Sequence, residues 1–198
     1  MKSCSTLLAS LALLAATTSG VFATAAAALG SIACADEVVA ETAYIGAKQD
    51  VKVAFSHCGI VPLVTADGKD VSSLQKRQGG TTNVCGASCN MFCFTPSGGG
   101  PNEDDCTIIA DALIYDSQNV GVLFNITASG TPTDKITMQY ASCTTYFLNQ
   151  HSTVLTYCRT VWSTLVNWLA SDCDVAQNAH GGLCVADDQS WYIQVQHT

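Results

Sequence analysis

Few side chains in the second half of this sequence could transfer a proton or hold an ion. Residues 78–198 carry three histidines (His151, His180, His197), one glutamate (Glu103) and nine aspartates. Zinc needs convergent imidazole or thiolate ligands. No two of these histidines stand at i, i+4, and Cys85, Cys89 and Cys93 are spaced by four rather than as C-x-x-C pairs. No metal site is expected. A glycosidase needs two carboxyl groups facing across a cleft, one of them able to donate its proton. Glu103, Asp104 and Asp105 have a simpler reading, as negative charge at the start of a helix. Asp187-Asp188 likewise reads as a hairpin turn. A nucleophilic serine would be expected in a G-x-S-x-G elbow, and none occurs. No catalytic residue emerges, and nothing asks for a cofactor.

Binding chemistry is the remaining possibility. Tyr192, Gln194 and Gln196 are expected to alternate outward on the polar side of a C-terminal strand, with Asn178 and His180 in the preceding loop. Sugars are recognised by an aromatic face against their C–H patch and by amides for their hydroxyls, with little net charge needed. These five residues are the candidate glycan-binding set. Asn125-Ile126-Thr127 is an N-glycosylation sequon, although it falls within an expected strand.

The elements that would position these residues are legible from periodicity. Gly98-Gly99-Gly100-Pro101-Asn102 leads into a helix whose buried stripe is Cys106, Ile109, Ala110 and Leu113. Val122, Phe124 and Ile126 alternate as a half-buried strand. Ile136, Met138 and Tyr140 continue that period, and Cys143 to Leu148 is expected to extend it across a bend. From Cys158 the period becomes helical, with Val161, Trp162, Leu165, Trp168 and Leu169 on one apolar face and both tryptophans in the core. Cys158 and Cys173, about 22 Å apart if joined by helix, should not pair with each other. Gly181 to Ala186 and Trp191 to Gln196 read as a terminal hairpin, with Trp191, Ile193 and Val195 on the face opposite Tyr192. With an opening strand near residues 90–95, the order β-α-β-β-α-β-β predicts an α+β fold: two helices on an antiparallel sheet, an α/β sandwich.

Composition sets outer limits. A net charge of −8 argues against nucleic-acid partners, since residues 78–198 hold only Lys135 and Arg159 as bases. A hydrophobic content of 48% excludes a disordered acidic tail. Met1-Lys2, the apolar run Leu7 to Ala15 and Ala23-Thr24-Ala25 describe a signal peptide over 1–25. That run is too short to span about 30 Å of hydrocarbon, so no membrane insertion is expected. Residues 26–77 form an expected pro-segment ending at a dibasic Lys76-Arg77 processing site. Eleven cysteines are an odd number. Removing Cys4, Cys34 and Cys58 with the leader and pro-segment leaves eight: Cys85, Cys89, Cys93, Cys106, Cys143, Cys158, Cys173 and Cys184. The expected mature unit is 78–198, secreted and stapled by four disulfides of unspecified connectivity.

An ordered set of segments resembles a known family. It comprises Gly99 to Cys106, Tyr140 to Cys143, Tyr146 to Asn149, Leu155 to Trp162, Gly181 to Cys184 and Trp191 to Thr198. Together they resemble the small secreted glycan-binding lectins of mushrooms, over most of residues 85–198 and none of the pro-segment. The resemblance implies a single α/β sandwich that dimerises through its sheet and binds complex glycans without catalysis. The spacing of Asp105-Cys106, Cys143, Cys173 and Cys184 also looks like fungal necrosis-inducing effectors and killer-toxin sandwiches, which act on host or competitor cells.

Overall fold

Alternation along the last strand organises the molecule, because its two rows of side chains are buried against two different layers. The computed structural model describes residues 30, 32–68, 70–71, 81–94 and 98–198. The expected signal peptide and the Lys76-Arg77 pair lie outside these residues. In chain order the elements are β1 (Ala35–Ile45), β2 (Val51–Ile60), β3 (Leu63–Val64), β4 (Asp70–Val71), β5 (Thr81–Asn83) and β6 (Cys89–Cys93). They continue with α1 (Glu103–Asn119), β7 (Leu123–Ile126), β8 (Lys135–Tyr140), β9 (Cys143–Asn149) and β10 (Val154–Cys158). The chain closes with α2 (Arg159–Leu169), a π-helical turn (Ala170–Ala176), β11 (Gly181–Ala186) and β12 (Trp191–His197).

The main sheet has seven strands in the order β1-β2-β8-β9-β12-β11-β6, and every neighbouring pair is antiparallel. A three-stranded sheet, β5-β10-β7, and the β3–β4 pair complete the strands. The fold is α+β, as expected, but dominated by strands rather than by a two-helix sandwich. Residues assigned by sequence to a pro-segment supply two strands at one end of the main sheet, the edge strand β1 and its neighbour β2.

The helical side follows the expected stripes. Asn102 caps α1 by accepting from Asp104 N–H at 2.8 Å, and Cys106, Ile109, Ala110 and Leu113 are fully buried. Trp162, Val166 and Leu169 of α2 are buried as well. Trp168 is not core: it is 42% exposed, and its indole N–H donates to Asp172 at 2.7 Å. One other expectation needs correction. Cys143 to Asn149 does not extend β8 across a bend; it returns antiparallel to β8 around Ala141, whose φ of 44° reverses the chain. The short strands β5 and β10 gave no periodic signal; their pairing is decided by contacts with each other and with β7.

The eight cysteines of the C-terminal part pair among themselves: Cys85–Cys158, Cys89–Cys184, Cys93–Cys173 and Cys106–Cys143. Cys158 and Cys173 are in different bridges, as the helical separation required. Cys34 and Cys58 form a fifth bridge inside the N-terminal segment. Five disulfides in a chain of this size are typical of extracellular proteins.

Candidate functional site

The register of β12 separates two environments. Ile193 faces Phe147 and Cys184 on the helix side, in one core with Trp191, Trp162 and Tyr157. Tyr192 faces Leu148 and Val185, and Gln194 faces Tyr146 and Leu183, on the opposite side. This second face is a smaller cluster of Tyr146, Leu148, Leu183, Val185, Tyr192 and Phe94. It is covered by Ile32, Cys34, Cys58, Val61 and Val64.

Tyr192, Gln194 and Gln196 therefore share one face, but two of them are not exposed on it. Tyr192 and Gln194 are fully buried in the whole chain. The expectation of an outward row failed because alternation distinguishes two faces without saying what covers the more polar one. Gln196 is half-buried and follows Gln194 along the same row, accepting a short hydrogen bond from the Gln194 amide. His180 precedes Gly181, the register partner of Gln196, and its ring lies 5.6 Å from that of Phe94. Asn178 is exposed with φ 53°, and its carbonyl accepts from Gly98 N–H. The structure thus places Gln196 and His180 at the rim of the covered face and Tyr192 and Gln194 beneath the cover.

Two residues of this site escaped the sequence reading. The Tyr146 ring meets that of Tyr192 edge-on at 5.9 Å, and its hydroxyl lies 2.5 Å from the Ile32 carbonyl and 2.9 Å from Gln194 Oε1. Burial, followed by its contact with Tyr192, pushes the Tyr146 phenol well above its ordinary pKa, so the hydroxyl stays a donor. The second is Gln150, 7% exposed just beyond β9. Its carbonyl oxygen accepts from Val64 N–H at 2.5 Å while its amide donates to Val64 O at 2.9 Å. The alternation Tyr146-Phe147-Leu148 across β9 was the available signal for Tyr146. Gln150 had none.

Both bases of residues 78–198 are engaged within the chain. Lys135 pairs with Glu37 at 2.7 Å and sits 4.5 Å from the Tyr146 ring centre. Burial raises the Glu37 pKa, but hydrogen bonds from Lys135 and Ser56 and the Lys135 charge outweigh it and hold the carboxyl below its usual range. Arg159 donates to the carbonyls of Gly121 and Leu123 at 2.6 and 2.8 Å and lies 5.3 Å from the Phe124 ring centre.

Asp105, in the first turn of α1, and Asp174, in the π-helical turn, are shifted in opposite directions. Asp105 accepts from the hydroxyl and N–H of Ser142 at 2.6 and 3.0 Å, which lowers its pKa. Asp174 is pushed up, first by burial and then by the charge of Glu103, with His197 opposing. No cluster of three or more metal-ligating side chains occurs among the described residues. Asn125 is exposed on β7, an outer strand of the small sheet, and its side-chain oxygen accepts from Thr156 at 2.8 Å. A shallow crevice of about 170 Å³ lies between the β1–β2 turn and α1, lined by Lys48, Asp111 and Tyr115 among others. No helix among the described residues is long and apolar enough to cross a membrane.

Comparison with protein-family models and with curated proteins finds no match for this chain.

Proposed function

We propose that this chain is a secreted, non-catalytic glycan-binding protein whose sugar-binding face is latent in the full-length molecule. The observation that carries this reading is the face itself. Paired tyrosines, Tyr146 and Tyr192, and the amides of Gln194 and Gln196 lie on one side of a rigid antiparallel sheet. They offer the aromatic and hydroxyl-directed chemistry of a sugar subsite without net charge. The cover over them, residues 32–64, is joined to the rest by no disulfide. Processing at Lys76-Arg77 would turn that cover into a separable piece. The resemblance of residues 85–198 to mushroom lectins supports the same reading, including assembly as a homodimer.

The test is a glycan array probed with the secreted full chain and with the oxidised residue 78–198 product separated from its N-terminal piece. Signal from the product alone, competed by free sugar, supports the proposal. Absence of signal from both overturns it. A covered amphipathic face also suits a killer-toxin-like or necrosis-inducing effector kept inactive before release. Cell damage by the product that persists in excess soluble glycan would favour that second reading.

A further inference from the structure

The contacts between the cover and the sheet describe a protein ligand more fully than a sugar. Gln194 meets both main-chain groups of Ile32: Oε1 accepts from Ile32 N–H at 3.2 Å, and Nε2 lies 3.4 Å from Ile32 O. Gln150 makes the same two-point pair with Val64. A primary amide matched to the N–H and C=O of one residue reproduces what a neighbouring strand would offer. At the sheet edge, β2 runs along β8 from Lys52 opposite Gln139 to Ser56 opposite Lys135. The same segment supplies buried side chains to both cores, Val51 and Val53 on the helix side and Cys58 and Val64 on the other. Asp134, fully buried, accepts from Cys58 N–H at 3.1 Å and pairs with His57 Nδ1 at 3.0 Å. From its own side of the interface it also accepts from Gly130 N–H. Taking the segment away would exchange these matched hydrogen bonds for water and uncover the apolar side chains packed beneath Cys58 and Val64, so shape-matched polar contacts and buried apolar area together hold the segment in place.

We propose that the face carrying Tyr146, Gln150 and Gln194 is a docking surface for extended polypeptide main chain. Its occupant is the residue 30–71 piece of this same chain, which stays bound as a non-covalent second chain after a cut at Lys76-Arg77. Cleavage alone then does not uncover the face; displacement of the segment does. This goes beyond the glycan reading, and the docking holds whether or not a sugar ever binds.

The experiment starts from the secreted full chain, cut by a Lys-Arg-specific fungal convertase. Should that bond resist, a recognition site for another protease inserted between residues 76 and 79 supplies the same cut. The two pieces should co-elute on size exclusion at neutral pH and separate in concentrated guanidinium chloride without reductant. Separate native peaks at micromolar concentration would overturn the docking. Gln150→Ala with Gln194→Ala, cut in the same way, should release the segment roughly ten- to thirty-fold faster, two amide pairs being removed at about 1 kcal/mol each. Release at the unchanged rate overturns main-chain recognition by the glutamines. Near-UV circular dichroism of the uncut variant checks its fold. If the double variant is not secreted, Gln194→Ala alone is read against the same criterion. Sugar binding by the undissociated complex would overturn the gating while leaving the docking in place, whereas gated complexes that bind no sugar once separated would remove only the glycan reading.

Discussion

One sheet carries two differently secured faces. On the helix side, Phe147 packs 5.3 Å from Trp191 and 4.9 Å from Tyr157 between ring centres, and Trp162 lies 5.9 Å away. Around that core, Cys106–Cys143 ties α1 to β9, and Cys93–Cys173 and Cys89–Cys184 tie β6 to the π-helical turn and to β11. The opposite face has tyrosines and glutamines among its aliphatic residues, and its cover is attached by the backbone, an edge ladder, hydrogen bonds and the buried side chains of Cys58 and Val64, with no disulfide to the rest. Permanent burial is served by apolar area and covalent cross-links, which depend little on solution conditions. A removable cover is better served by hydrogen bonds and an ion pair, because water can replace those when the cover leaves.

Substitutions should separate them in order of effect. Phe147→Ala leaves a cavity among fully buried rings, and a loss of about 3–5 kcal/mol is expected in denaturant unfolding. A smaller loss than Tyr192→Ala produces would undo the ranking of the faces. Replacing Cys106 and Cys143 by alanine should cost about 2–5 kcal/mol of global stability. Replacing Cys34 and Cys58 should instead act locally, speeding amide exchange in β1 and β2 while leaving α1 and β12 protected. Global unfolding at an equal cost in both pairs would show that the segment is no separate unit.

Tyr192→Ala with Gln194→Ala, an obvious test of sugar binding, is not neutral for folding because both side chains are fully buried. Gln194→Ala alone should cost roughly 1–3 kcal/mol, since Ile32 and Tyr146 lose a buried partner. Faster proteolysis within residues 32–64 would report it.

The smallest effect is a dependence on acid. Glu37 titrates below its ordinary value, so the stability it contributes is complete above the unfolded value of about 4.3. That contribution is lost as pH falls through the lower folded value, when the protonated carboxyl releases Lys135. Segment docking should therefore weaken below about pH 4, and Glu37→Gln should flatten that dependence. An unchanged acid profile in Glu37→Gln would assign the effect to another group. Asp105 is lowered in the same direction, but its tie to Ser142 joins α1 to the β8–β9 turn and should not move the segment.

Much of this was readable in advance because it is local. The stripe Cys106, Ile109, Ala110, Leu113 needs only helical period, and the opposition of Trp191 to Tyr192 needs only the two-residue repeat of a strand. Trp168 was misplaced since a helical wheel shows an apolar arc but not where the packed neighbour ends. The division of cysteines into an eight-membered C-terminal set followed from counting, whereas their connectivity did not.

What covers the second face was beyond any local rule. Ile32 and Gln194 stand 162 positions apart, and nothing in either one's neighbours marks the other as its partner. Residue order by itself determined the two rows of β12, the helix that buries one of them and the set of cysteines that could cross-link the body. The tertiary structure alone decided that the other row lies under the N-terminal strands, because the β8 edge and the amides of Gln150 and Gln194 meet this stretch of main chain only once the chain is folded.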